Sequence, residues 1–333
     1  MDDLCVVDQR GGIAESRHLV SLAIAGDRAD LLASAGSLGE PVFWRSTAKP
    51  FQLWPLVERG GLQRFGLSSR HVALACASHN GAAIHREVAA EWLRAAGLDE
   101  TDLACGGHPS LSPAVAESMI REGRTVTPLG SNCSGKHSAM LALARLEGWP
   151  TEGYQNREHP VQQAIADSIA RWSGVSVENQ IWGVDGCTAA AVATPLSGLA
   201  RAWANLATGD DPALGVIRQA MLAHPELLAG ADRLDTVLMQ AWPGRLILKV
   251  GAEGVFAAAL PGLGIGIALK VQDGDSAASM VAIVGVLRQV VARYAPDDAW
   301  PLDAVARWHD PEIVNTRGEA TGSSVLQGTI RFT

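Results

Sequence analysis

Residues 245–271 read RLILKVGAEGVFAAALPGLGIGIALKV, and the architecture is decided here. Three short apolar runs, 245–250, 254–260 and 264–271, are separated by two glycine-containing turns. That spacing predicts a meander of antiparallel strands. Downstream, residues 276–294 are apolar at helical spacing, and residues 324–332 form a last strand candidate. Working back to the start of the chain, residues 18–25 and 29–33 are further short apolar runs bounded by turn residues. Between the two β-like ends the period changes. From Ser46 to about Gln219 the pattern is mostly helical, best at 84–96, 136–146, 161–172 and 195–206. In the last of these Thr194 is placed to cap and Pro195 to take the first helical position. A further helix at 214–224 would be stopped by Pro225. Strands at both ends with helices between predict an α+β fold. Residues 1–45 with 230–333 would build a sheet lobe and residues 46–229 a mostly helical lobe of one catalytic domain.

Composition narrows the partners. Over 333 residues the hydrophobic fraction is 47%, enough for a packed core, and the formal net charge is −8 with no basic block. Phosphate binding needs clustered Lys and Arg, so nucleic acid is not expected as a partner, nor is an anionic membrane surface. The start, MDDLCVVDQRGG, lacks the basic and apolar regions of a secretory signal, and no run approaches the roughly 20 apolar residues of a membrane span. The five cysteines, Cys5, Cys76, Cys105, Cys133 and Cys187, are odd in number and widely spaced. A disulfide framework is not expected, and a cytoplasmic location is.

Four constellations carry possible chemistry. Ser46-Thr47-Ala48-Lys49 is an S-x-x-K followed at once by Pro50, which predicts a helix from about Ser46 through Glu58. Residues three apart share a helix face, so a desolvated Lys49 can serve as base toward the serine. The plainer alternative is a capping serine and a surface lysine. Cys76-Ala77-Ser78-His79-Asn80 follows the apolar run 72–75. If this is strand, Ser78 and His79 point to opposite faces and do not pair. Gly130-Ser131-Asn132-Cys133-Ser134-Gly135-Lys136-His137 has the G-x-x-x-x-G-K spacing of a phosphate-binding loop, and Ile181 to Asp185 mimics an apolar strand ending in a metal-holding acid. However, His137 stands where that loop needs Ser or Thr, and Pro128 interrupts the expected strand. The same loop with Asp185-Gly186-Cys187 also gathers Cys and His residues that a zinc ion could use. Finally, Lys249-Val250-Gly251 lies in the first run of the meander, a K-x-G that accompanies S-x-x-K in serine β-lactamases. A solvent-facing edge lysine is the alternative there.

Taken in order, these stretches resemble the Rhizobium etli type of L-asparaginase, the asparaginase II family. The resemblance is carried by Arg10-Gly11-Gly12, Arg45 to Pro50, Cys76 to His79, Cys105-Gly106-Gly107-His108-Pro109-Ser110, Ser131 to His137, Asp185 to Cys187, Lys249 to Ala252 and Val314-Asn315-Thr316. It implies a fold like serine β-lactamases and glutaminases, hydrolysis of L-asparagine to aspartate and ammonia, and a homodimer. It implies two Ser–Lys pairs, Ser46 with Lys49 and Ser78 with Lys249. It also implies a zinc site whose ligands by motif match are Cys133, Lys136 and Cys187. Asn80-Gly81-Ala82 departs from the family pattern, where a polar stretch ending in an acid is expected.

The mechanism this predicts is acyl transfer through Ser46, with Lys49 as base and Ser78 and Lys249 completing a proton relay. Ser78 is the alternative nucleophile. Arg45, His137 and Asp185 are candidates to hold the substrate's α-carboxylate and α-ammonium groups. The rival readings are a zinc-dependent amidohydrolase, a nucleotide hydrolase and a non-catalytic amino-acid-binding protein.

Overall fold

The computed structural model describes residues 4–28 and 30–333. Ala29, at the head of the run 29–33, and Met1 to Asp3 of the N-terminal reading lie outside the described residues. The class is α+β. Strands β1 (Cys5–Arg10), β2 (Ile13–Ala25) and β3 (Leu31–Ala35) open the chain. β4 (Pro41–Phe43), β5 (Ile181–Val184) and β6 (Ala190–Pro195) form a small sheet in the order β4-β6-β5. The meander supplies β7 (Ile247–Val250), β8 (Val255–Leu260) and β9 (Ile265–Val271). β10 (Glu312–Val314), β11 (Ala320–Gln327) and β12 (Arg331–Phe332) end it. The large sheet runs β10-β11-β1-β2-β9-β8-β7, with β3 pairing β2 and β12 pairing β3. The strand expected at 324–332 is thus two strands, β11 and β12, interrupted around Gly328, where φ is +95°.

The chain divides into two compact units. The first takes the chain up to Val42, then Thr194–Thr208 and Val237–Thr333. Its β1–β2 hairpin closes through Gly11 and Gly12 at φ +57° and +80°, the two positive values a two-residue turn of matching twist needs. Helix Leu196–Thr208 packs on β9 so closely that a Cβ on Gly266 would lie 2.1 Å from Ala204 N and 2.3 Å from Ala200 O. Only glycine permits that approach. The expected cap is displaced here. Thr194 and Pro195 end β6, and the helix starts at Leu196, because both residues are still engaged in strand geometry. Helix Ser276–Tyr294 is long and apolar enough to cross a membrane. It packs on β11, β9 and β1, and its buried residues, Val281, Ile283 and Leu287 among them, are part of the core.

The second unit holds Phe43–Ala193 and Gly209–Thr236. Its centre is helix Ser134–Glu147, buried without a break from Ser134 to Ala144, as an interior helix must be. Gly135 is forced, since its Cβ would meet Leu74 O at 2.2 Å. Helix Lys49–Glu58 tolerates Pro55. Proline has no N–H for the Phe51 carbonyl four residues back, and Ser168 Oγ donates to that carbonyl instead at 2.8 Å. The run 72–75 belongs to helix Ser69–Ala75 and is not a strand.

Candidate active site

The S-x-x-K turn does not open an α-helix at Ser46. Arg45–Ala48 is a 3₁₀ turn and the α-helix begins at Lys49. Residues three apart eclipse in a 3₁₀ turn, so Ser46 and Lys49 still leave the backbone on one side. Arg45 enters the turn at φ +48°, a left-handed conformation that a non-glycine residue adopts only when its surroundings hold it there.

Lys49 is 1% exposed, so the surface-lysine alternative does not hold. Its Nζ donates to the Ala77 carbonyl, to Ser78 Oγ at 3.1 Å and to the Asn132 carbonyl at 3.3 Å. Ser46 Oγ is not among these partners. Ser78 is thus the serine that lies on the Lys49 nitrogen here. Both carbonyls are fixed. The segment after helix Ser69–Ala75 is tied down by Ser78 N–H to Leu228 O at 2.8 Å and Asn80 N–H to Ala229 O at 2.8 Å. Asn132 N–H donates to His108 Nε2 at 3.0 Å, while His108 Nδ1 serves the Pro109 carbonyl at 2.8 Å.

Ser78 and His79 lie in this loop and do not pair, although the reason is not strand alternation. His79 Nδ1 accepts from Gly81 N–H at 3.1 Å, which leaves the proton on Nε2 to donate to Ser134 Oγ at 3.0 Å. Its ring also stacks on His85, with centroids 4.7 Å apart. His79 is thus a fixed crosslink to the start of helix Ser134–Glu147.

That helix start carries the second cluster. Lys136 Nζ lies 2.9 Å from Cys187 Sγ and 3.9 Å from Asp185 Oδ2. Cys187 and burial push the Cys133 thiol up to about 12, while Cys133, aided by Lys136, holds Cys187 down at about 5 against burial. Burial disfavours the Lys136 ammonium, but Cys187, Cys133 and Asp185 outweigh it and hold the group above its ordinary value. Burial likewise pushes the Asp185 carboxyl up, and Lys136 and Arg45 more than offset it, so the carboxylate is favoured. The donors fit a zinc ion in part: cysteine sulfur is an ordinary zinc ligand and Lys136 lies beside Cys187, whereas an amine is an unusual ligand. Binding would require the amine to be neutral. Among the described residues no three His, Cys, Asp or Glu side chains gather as a metal site, so any metal here depends on the lysine.

The expected substrate grips look different in place. Arg45 Nε and Nη2 lie 3.1 and 3.0 Å from Asp185 Oδ1, so these two residues hold each other. His137 is fully buried, and burial followed by the Lys136 charge pushes it down to about 3. Burial thus disfavours the charged form that a cationic grip on a carboxylate would need. Its Nδ1 meets Tyr154 Oη at 2.6 Å. Tyr154, which also accepts from Ala104 N–H at 2.9 Å, is a residue that no sequence pattern marked.

Lys249 lies on β7, at one end of the large sheet, yet its side chain is 0% exposed. An edge strand shows its backbone to solvent, but the face bearing Lys249 is covered. Its Nζ donates to Val250 O at 2.8 Å. The phosphate-loop reading fails on geometry. The segment before the loop is the 3₁₀ turn Pro128–Gly130, β5 and β6 are antiparallel, and Gly135 abuts Leu74 with no room for a phosphate.

Comparison with known proteins assigns a class to this fold and cluster, an amidohydrolase of the asparaginase type. The chain belongs to the L-asparaginase II family, whose sequence profile matches residues 6–326. No curated protein matches the chain. Among solved structures, a β-lactamase from Mycobacterium bovis is 11% identical, with 83% of this chain and 94% of that one covered at a TM-score of 0.47. A Bacteroides dorei protein provisionally described as a β-lactamase is 12% identical, with 81% and 92% covered at 0.45. The structure of Mglu in its native form in 4.3 M NaCl is 16% identical, with 84% of this chain and 62% of that chain covered at 0.35. These are distant likenesses.

Proposed function

We propose that the protein is an L-asparaginase that hydrolyses the side-chain amide of L-asparagine to L-aspartate and ammonia by Ser–Lys nucleophilic catalysis. The observation that carries this reading, within an asparaginase family, is the buried Lys49 with its nitrogen on Ser78 Oγ at 3.1 Å. Ser46 attacks the amide carbon, with its proton passing to Lys49, whose side chain leaves the same side of the turn. Lys49 and Ser78 then form the relay that delivers a proton to the departing ammonia. Water hydrolyses the acyl-enzyme, and the relay runs in reverse. Lys249 is assigned a catalytic role on the resemblance of its motif alone. Arg45 and Asp185, already paired, present one charge of each sign to the substrate's two charged groups. Cys133, Lys136 and Cys187 would hold a zinc ion, which supplies a Lewis acid or an electrostatic clamp when bound. The reading extends to a cytoplasmic homodimer with a small-molecule substrate and no nucleic-acid or membrane partner, in keeping with the net charge of −8 and the absence of a basic block.

A second reading, with Ser78 as nucleophile, is favoured by that same 3.1 Å contact. Mass spectrometry of the acyl-enzyme trapped by acid quench separates the two. We expect the aspartyl group on Ser46, and its appearance on Ser78 reverses the assignment. Ammonia release from asparagine and glutamine, run beside phosphate release from ATP, tests the function itself. A folded protein that binds asparagine but releases no ammonia is a binding protein. One that hydrolyses asparagine undiminished as Ser46→Ala/Ser78→Ala, yet loses activity on chelation, is a metal hydrolase.

A further inference from the structure

Helix Ala83–Ala95, helix Pro113–Arg121 and the segment 226–232 border a cavity of about 360 Å³. All three lie in the second unit. Ala82, Ile84, Ala114 and Val115 give the cavity apolar walls, and helix Pro113–Arg121 buries none of its own residues. An apolar hollow of this size with a few polar groups has the make-up of a small-molecule site. Ser46, Lys49 and Ser78 are not among its lining residues.

Its polar groups select the ligand. His85 is 1% exposed, and its Nε2 lies 3.2 Å from the Glu226 carbonyl. A carbonyl only accepts, so the ring proton sits on Nε2 and Nδ1 carries the lone pair. Nδ1 is buried and has no hydrogen-bond partner among the described residues. Burial pushes the ring down to about 4, which favours the neutral form and keeps that lone pair available. An acceptor left unmatched in the interior is a cost that a donor placed in the cavity removes. Asn80 spends Oδ1 on Ala82 N–H at 3.3 Å, so Nδ2 is the donor it still offers. Gly230 makes room for it, since a Cβ there would lie 2.3 Å from Asn80 Nδ2. At the exposed rim Asp232 accepts from Ser112 Oγ at 3.3 Å, and its charge disfavours an anion.

We infer that this cavity binds a small aliphatic primary carboxamide. The ligand's carbonyl oxygen accepts from Asn80 Nδ2, its N–H donates to His85 Nδ1, and its alkyl chain lies on Ile84, Ala114 and Val115. A carboxylate has the oxygen but no proton for His85, and Asp232 repels it. An ammonium has protons but no acceptor for Asn80. Asparagine shares the carboxamide, but its two charged groups suit apolar walls poorly. The site is separate from the Ser–Lys group and stands whether or not the protein is an asparaginase.

The probe is butyramide, with butyrate and n-butylamine as charged controls of the same chain length, titrated into the full chain and followed by ligand-observed NMR. Butyramide should bind saturably and at least about tenfold tighter than either control. Val115→Trp fills the cavity and should weaken butyramide at least about tenfold. His85→Phe keeps a flat ring but removes the acceptor, and should also weaken it at least about tenfold. Equal binding of the three probes, or wild-type affinity in Val115→Trp, overturns the inference, and Val115→Trp decides alone if His85→Phe fails to fold. Wild-type affinity in a folded His85→Phe removes the acceptor and with it the carboxamide class. At saturating butyramide the KM for asparagine should stay within about twofold of its value without the probe. A KM that rises in proportion to butyramide puts the probe in the asparagine site and overturns the separate one. A protein that releases no ammonia under any condition sinks the asparaginase reading, while the NMR titration still decides the cavity.

Discussion

At the scale of single residues the site depends on where one nitrogen finds its partners. Lys49 meets two carbonyls and one hydroxyl, and only a group able to give up a proton can serve that hydroxyl as base. Lys49→Arg should therefore lower ammonia release by at least about a hundredfold while the circular dichroism stays unchanged, since guanidinium keeps its proton. If the Arg variant retains most of its rate, Lys49 is a fixed charge and the relay is wrong. His108 is a positioning residue in this scheme, because its Nε2 accepts the Asn132 N–H and so aims the Asn132 carbonyl at Lys49. His108→Ala should lower kcat about tenfold, the worth of roughly one hydrogen bond, with KM nearly constant. A rise in KM alone would put His108 in substrate binding. Lys49 and Ser78 were legible in the sequence as candidates. Their pairings were not, because S-x-x-K fixes a local spacing while Ser78 reaches Lys49 from a loop 29 positions away.

At the scale of elements, periodicity did well wherever an element buries one face or the whole of itself. The helix over 276–294 and the three strands of the meander fall at or within a few residues of their expected ends. It did less well where neighbours set the ends. The apolar run 72–75 is equally a short strand or a short helix by pattern, and it became helix because it packs on helices Ser134–Glu147 and Pro212–Ala223. Helix Leu196–Thr208 is held to the sheet by the close approach at Gly266. Gly266→Val should destabilise by about 3 kcal/mol, the upper end of overpacking, since the obstacle is helix backbone and not a movable side chain. Urea unfolding reads this as a lower midpoint at an unchanged slope. An unchanged midpoint would mean that the helix can shift freely.

At the scale of the whole molecule, stability should carry a pH signature from one histidine of the large sheet. His18 on β2 bonds Asp273 at 2.7 Å and lies 3.4 Å from Asp8 on β1. Burial lowers its pKa, but the bonds to Asp273 and Asp8 outweigh this, so it is raised from 6.5. The folded state binds this proton more tightly than the unfolded state does. The stabilisation is complete below about 6.5 and is lost as pH rises through the raised value. Tm measured from mildly acidic to mildly alkaline pH should fall more steeply in the wild type than in His18→Gln. Parallel curves would show that His18 contributes no linkage.

The sequence by itself determined the α+β class, the mostly helical middle of the chain and the residue types of the site, because hydrophobic period and short motifs are local properties that neighbouring residues settle among themselves. Only the tertiary structure decided that Lys49 meets Ser78, that Arg45 pairs with Asp185, that buried His137 meets Tyr154, and that Lys136 lies beside Cys187. Each of these is a contact between segments far apart in sequence. Burial strips the water that would otherwise screen such groups, so protonation and pairing are set by whichever group the fold brings alongside.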